Sequence, residues 1–139
     1  MEMSFREKSA WISLVLIVLV FGPYFWLVGR SFTGGEHVHA GTQFGLIVLF
    51  IVLEIVVHIA IAIQSPRDAQ APIDEREDLI DLRATRMAFY VLFGGALMSI
   101  FTMHFRLTVW MLSQCVPFAI VVAELVKFSS QIVFYRRGL

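Results

Sequence analysis

The sequence predicts an all-α protein, an integral membrane bundle of four transmembrane helices, on three observations. Apolar residues make up 58% of the chain against 16% charged, with a mean hydropathy of +0.78, a balance that water-soluble domains do not show. Four stretches, approximately residues 11–28, 44–63, 87–102 and 108–134, are long and apolar enough to cross a hydrocarbon core ~30 Å thick at 1.5 Å per helical residue. No polar segment between them is long enough to fold as a soluble catalytic domain, so residues 1–139 read as a single four-span membrane domain.

The first span carries Trp11 and Trp26 near its ends and has no clean small-x-small cleavage site, so it is expected to stay as an anchor and not to leave as a signal peptide. Orientation follows from the Lys and Arg residues of short loops, which are retained on the cytoplasmic side. Arg6 and Lys8 precede the first span, Arg67, Arg76, Arg83 and Arg86 lie between the second and third, and Arg136 and Arg137 follow the fourth. The opposite side has Arg30 and Arg106. Both termini are therefore expected in the cytoplasm. Trp11, Tyr24, Trp26, Tyr90, Trp110 and Tyr135 fall near span ends, where amphipathic rings favour the headgroup level.

The polar stretch 64–86 divides in two. Residues 65–72, with Pro66 and Pro72, read as a linker because proline opposes helix continuation. Asp74 suits an N-cap with Glu77 three residues on, and Glu75, Glu77 and Asp78 place negative charge at a positive helix terminus. With no Gly or Pro from Asp74 to Phe93, this helix is expected to run directly into the third span. Residues 73–86 offer a docking surface for a cytoplasmic protein partner, although a solvated helix start that sets topology explains the same charges more simply.

Ionisable groups deep in a span are costly, on the order of 2.5–3.5 kcal/mol for a charged Asp or Lys, and raise a functional hypothesis by default. The second span holds Glu54 with His58 four residues on, and the fourth holds Glu124 with Lys127 three residues on. Those spacings put each pair on one helix face. A weak internal repeat aligns the two: Lys8-Ser9-Ala10-Trp11 with Arg86-Met87-Ala88-Phe89, and Leu53-Glu54-Ile55-Val56 with Ala123-Glu124-Leu125-Val126. Two tandem helical hairpins related by an axis along the membrane normal would result. Glu54, His58, Glu124 and Lys127 then form a buried polar cluster that serves either as a proton or cation site or as an ion-pair network fixing helix packing; the packing role demands less and is the expectation.

On the other side, Glu36, His37 and His39, with His104 on the second outer turn, would suit Zn or Cu by donor type, and Met98, Met103, Met111 and Cys115 would add soft ligands for Cu(I). Their spacing matches no metal signature, and methionine is a common apolar filler, so no tight metal site is expected. A carboxylate-bridged di-metal centre favours Glu-x-x-His, whereas this chain has Glu54-x-x-x-His58 without a second such pair. Two-histidine haem ligation fails on depth, since His58 lies in the inner half and His104 at the outer edge. No cofactor is expected. The single Cys115 excludes an internal disulfide, a formal net charge of zero argues against a nucleic-acid partner, and there is neither a phosphate loop nor a nucleophile elbow, so no enzymatic activity is expected.

Close helix approach is expected where small residues line up, at Gly95-x-x-x-Ser99 in the third span and Ala119-x-x-x-Ala123 in the fourth. Gly22-Pro23 and Pro117 predict bends in the first and fourth.

The opening Met3-Ser4-Phe5-Arg6-Glu7-Lys8 followed by Ala10-Trp11, with Asp74-Glu75-Arg76-Glu77 and Arg83-Ala84-Thr85-Arg86 before the third span, resembles an uncharacterised family of small bacterial four-helix inner-membrane proteins. The resemblance covers the layout and these short motifs; it implies the four-helix fold and a bacterial inner-membrane location, and carries over no functional residue. Together these readings lead to the expectation of a small multi-pass membrane protein, a homo-oligomer (dimer) in contact with membrane lipid, with a non-enzymatic binding, sensing or interaction role. The alternative is a proton- or cation-coupled transporter or channel subunit using Glu54 and Glu124, and the third reading is a metal-handling membrane protein.

Overall fold

A computed structural model describes residues 5–34, 40–64, 74–102, 104 and 109–137. Four helices follow one another: α1 (Phe5–Gly34), α2 (Ala40–Gln64), α3 (Glu75–Thr102) and α4 (Val109–Arg137), and no strand occurs among the described residues. All four are long and apolar enough to cross a membrane. The chain divides into two compact units, residues 1–73 and 74–139, each a helical hairpin.

The first hairpin is organised by one row of α1. Ala10, Ser13, Ile17, Phe21, Tyr24 and Val28 are all buried, and their three- and four-residue steps trace a single face at 3.6 residues per turn. Part of that face meets α2: the Phe21 and Phe50 rings pack edge to face with centroids 5.3 Å apart. Leu19, Ile55 and many other large apolar side chains are exposed, which in a chain of this composition means that lipid tails solvate them. Pro23 lies inside α1 and Pro117 inside α4, and both helices continue through them.

The second hairpin begins as the sequence predicts. The Asp74 carbonyl accepts a 3.1 Å bond from the Asp78 N–H, the first helical bond of α3, with Glu75, Glu77 and Asp78 in the first turn. From there α3 runs unbroken to Thr102. Ile80, Ala84 and Ala88 form its buried row. Gln131 Nε2 of α4 donates to Asp81 Oδ1 at 2.7 Å, and Ser130 Oγ lies 3.5 Å from Met87 Sδ. Further along, the helices touch at Gly95 and Ala119: a Cβ added to Gly95 would sit 2.5 Å from that of Ala119. This is the close approach that the small-residue stripes predict.

Candidate functional site

Small hydroxyls on α1 meet ionisable groups on α2. Ser9 and Ser13 are four residues apart on one helix, and Glu54 and His58 four apart on the other. Because the two helices of the hairpin run in opposite directions, one turn forward on α1 is one turn back on α2. Ser9 therefore reaches His58, and Ser13 reaches Glu54. The distances are 2.6 Å from Ser9 Oγ to His58 Nε2 and 3.0 Å for the bond that Ser13 Oγ donates to Glu54 Oε2. His58 Nδ1 closes the series, 3.1 Å from Glu54 Oε2 and 2.7 Å from the Glu54 main-chain oxygen.

These contacts determine where the protons sit. A main-chain carbonyl only accepts, so Nδ1 of His58 carries a hydrogen and donates to the Glu54 carbonyl and carboxylate. Nε2 of a neutral ring then accepts the Ser9 hydroxyl hydrogen. If the ring takes up a proton, Nε2 donates instead, and the Ser9 hydroxyl rotates to accept. The heavy atoms need not move between the two states.

Burial increases along the series. The His58 side chain is 36% exposed, that of Glu54 20%, and Ser13 only 1%. Among the described residues, Glu54 Oε1 is buried and has no hydrogen-bond partner. A buried acceptor left unmade costs about 1–3 kcal/mol, more when ionised. The polar series ends there. Residues 14–23 of α1 and 44–53 of α2 contain no ionisable, hydroxyl or amide side chain, leaving roughly 15 Å of helix on each side without a side-chain proton carrier.

The structure thus brings Glu54 and His58 together as their spacing predicts. It joins them to Ser9 and Ser13, which the sequence reading passed over. Glu124 and Lys127 are differently placed. Glu124 is half-buried and has no hydrogen bond or ion pair among the described residues, and Lys127 Nζ lies 5.8 Å from the Phe128 ring centroid. At the offset of 78 residues that aligns Lys8–Trp11 with Arg86–Phe89, Met87 and Val91 of α3 fall at the positions of Ser9 and Ser13. The second hairpin lacks the hydroxyls that engage the first carboxylate. Of the outer metal-ligand candidates, Glu36, His37 and His39 lie outside the described residues, and His104 is exposed. Among the described residues, no group of three or more His, Cys, Asp or Glu side chains could hold a metal ion.

No protein-family model matches this chain, and no curated protein or solved structure matches it. The chemistry of the site rests on its own geometry.

Proposed function

We propose that this small multi-pass membrane protein has a non-enzymatic sensing role, in which the first hairpin takes up and releases a proton at the Ser9–His58–Glu54–Ser13 series. The observation that carries the reading is the His58 ring held between a hydroxyl at 2.6 Å and a carboxylate at 3.1 Å. Either protonation state is hydrogen-bonded there. The ionisable groups of α1 closest in sequence, Arg6, Glu7 and Lys8, occupy the turn before Ser9 and set the local field at the half-exposed end of the site.

Proton- or cation-coupled transport through Glu54 and Glu124 requires a polar path that continues across the membrane. The apolar segments 14–23 and 44–53 supply none within the first hairpin, which supports binding and sensing over conduction. In the same reading the protein sits in a bacterial inner membrane with both termini in the cytoplasm, associates with itself as a dimer, and presents residues 73–86 to a cytoplasmic protein. With that orientation the half-exposed end of the site, at Ser9 and His58, faces the cytoplasm.

pH-difference infrared spectroscopy of the full chain in lipid vesicles tests the reading. The expected result is a carboxyl band that Glu54→Gln abolishes and imidazole bands that His58→Gln abolishes, with no specific proton flux in a pH-dye assay of the same vesicles. Difference spectra unchanged by both substitutions would remove the proton site; a robust flux lost in Glu54→Gln or Glu124→Gln would replace sensing with transport.

A further inference from the structure

We propose that Ser9 is a covalent acyl-acceptor site, at which His58 acts as general base and the donor is a long-chain acyl thioester. The proposal rests on the same hydrogen-bond series as the proton reading and uses it differently: the proton that His58 takes comes from Ser9 and not from solution. The atoms stand in the order that nucleophile activation requires. Ser9 Oγ lies 2.6 Å from His58 Nε2, and Nδ1 of the same ring lies 3.1 Å from Glu54 Oε2 and 2.7 Å from the Glu54 main-chain oxygen. A hydroxyl within reach of a base whose other nitrogen is oriented by a third group is the arrangement that makes serine a nucleophile. Here Glu54 fixes the ring with a hydrogen on Nδ1, which leaves the Nε2 lone pair of the neutral ring facing Ser9.

The surroundings select the donor. Ser9 and His58 are half-buried, at the end of the hairpin that carries Arg6 and Lys8. Ile55 and Ile59, both exposed, adjoin His58 on α2 and offer hydrocarbon to an alkyl chain, while Lys8, exposed and next to Ser9 in sequence, offers a cation to an anionic head. Ser9 lies inside α1, so its own N–H bonds the carbonyl four residues back and is spent as an oxyanion donor. One such donor is worth about 10²–10³ in rate. An unactivated oxygen ester therefore reacts poorly here, whereas a thioester, whose thiolate leaves more readily than an alkoxide, does not need the same help. Ser9 Oγ bonds to the thioester carbonyl carbon as its hydrogen passes to His58 Nε2. The C–S bond then breaks, and the departing sulfur takes that proton from Nε2, giving a serine ester and a free thiol with nothing oxidised or reduced. The missing donor also slows hydrolysis of the ester, so the reaction is a stoichiometric mark on the chain and not turnover. Acylation removes the hydroxyl hydrogen that the neutral ring accepts, and so acts directly on the proton site.

The full chain in dioleoyl phosphatidylcholine vesicles is incubated with palmitoyl-coenzyme A, and the product is followed by intact mass spectrometry and peptide mapping. The expected result is one palmitoyl group per chain, on Ser9 and resistant to neutral hydroxylamine, which marks an oxygen ester and separates it from a thioester at Cys115. Ser31, whose hydroxyl bonds the Leu27 carbonyl of its own helix, stays unmodified. His58→Gln slows acylation about 100-fold, the scale of general-base assistance. Ser9→Ala abolishes it and Ser9→Cys restores it as a hydroxylamine-sensitive thioester, so the result does not hang on one variant folding. No acylation of the unaltered chain overturns the proposal, as does a palmitoyl group retained by folded Ser9→Ala or an unchanged rate in folded His58→Gln. The infrared bands of Glu54 and His58, recorded on the same unaltered preparation, separate the two readings: bands without acylation remove the acyl site and leave the proton site, and acylation without bands does the reverse.

Discussion

Ser13 is the most deeply buried member of the first hairpin's site, 1% exposed with its hydroxyl on Glu54 at 3.0 Å. Interhelical hydrogen bonds in membranes are worth on average ~0.6 and at most ~1.7 kcal/mol, since the unfolded chain in lipid also finds partners. Ser13→Ala should lower stability toward the upper end of that range, because it removes a donor from a carboxylate whose other oxygen is already without one. Ser31→Ala is the control: its hydroxyl bonds the Leu27 carbonyl of its own helix and is exposed. Reversible unfolding in mixed micelles measures both, and equal effects would mean that the Ser13–Glu54 bond contributes nothing. The Glu54–His58 half of the site was legible as a four-residue step on one helix. Ser9 and Ser13 were not, because serine is ordinary in membrane helices and only the pairing of α1 with α2 shows which carboxylate it faces.

For the helices as elements, the sharpest constraint lies at Gly95. Two adjacent glycines, Gly94 and Gly95, look alike in sequence, yet a Cβ on Gly94 meets nothing within 4 Å whereas one on Gly95 would lie 2.5 Å from Ala119 Cβ. Gly95→Ala must push α3 from α4 and should cost about 1–3 kcal/mol, the usual range for overpacking. Gly94→Ala should be neutral or slightly stabilising by helix propensity. In the double variant Gly95→Ala, Ala119→Gly the clashing carbon is transferred to the other helix, so most of the loss should be recovered. The same unfolding measurement decides, and a double variant no better than Gly95→Ala alone would show that the contact does not limit packing. The element boundaries were largely readable: α3 starts after Asp74 and runs into its span, as the acidic first turn and the absence of Gly and Pro imply. Pro23 and Pro117, where the sequence predicts bends, lie inside helices that continue through them.

At the scale of the whole molecule, four helices long and apolar enough to span place both chain ends on one side whenever all four cross. The side is a matter of charge. Arg6, Lys8, the linker arginines and Arg136 and Arg137 outnumber Arg30 and Arg106 opposite, so a reporter fused after Leu139 should be active only in its cytoplasmic form. A reporter active in the periplasm would reverse the orientation or remove a span. The chain divides into two hairpins, and at the offset of 78 residues Met87 and Val91 of the second fall where the first has Ser9 and Ser13.

Composition and periodicity by themselves determined that the chain is helical, that it has four membrane-length segments, and that Glu54 and His58 share a face. These are local properties, set by hydropathy over about twenty residues and by the 3.6-residue turn. Tertiary structure decided which hydroxyls meet which ionisable groups, that Glu54 is engaged by α1 while Glu124 is not bonded among the described residues, and that Gly95 rather than Gly94 is the contact. Each of these depends on the axial register and rotation of one helix against another. A shift of a single residue turns a helix by ~100° and carries a side chain off the shared face, and apolar sequence as uniform as residues 44–53 does not encode that register.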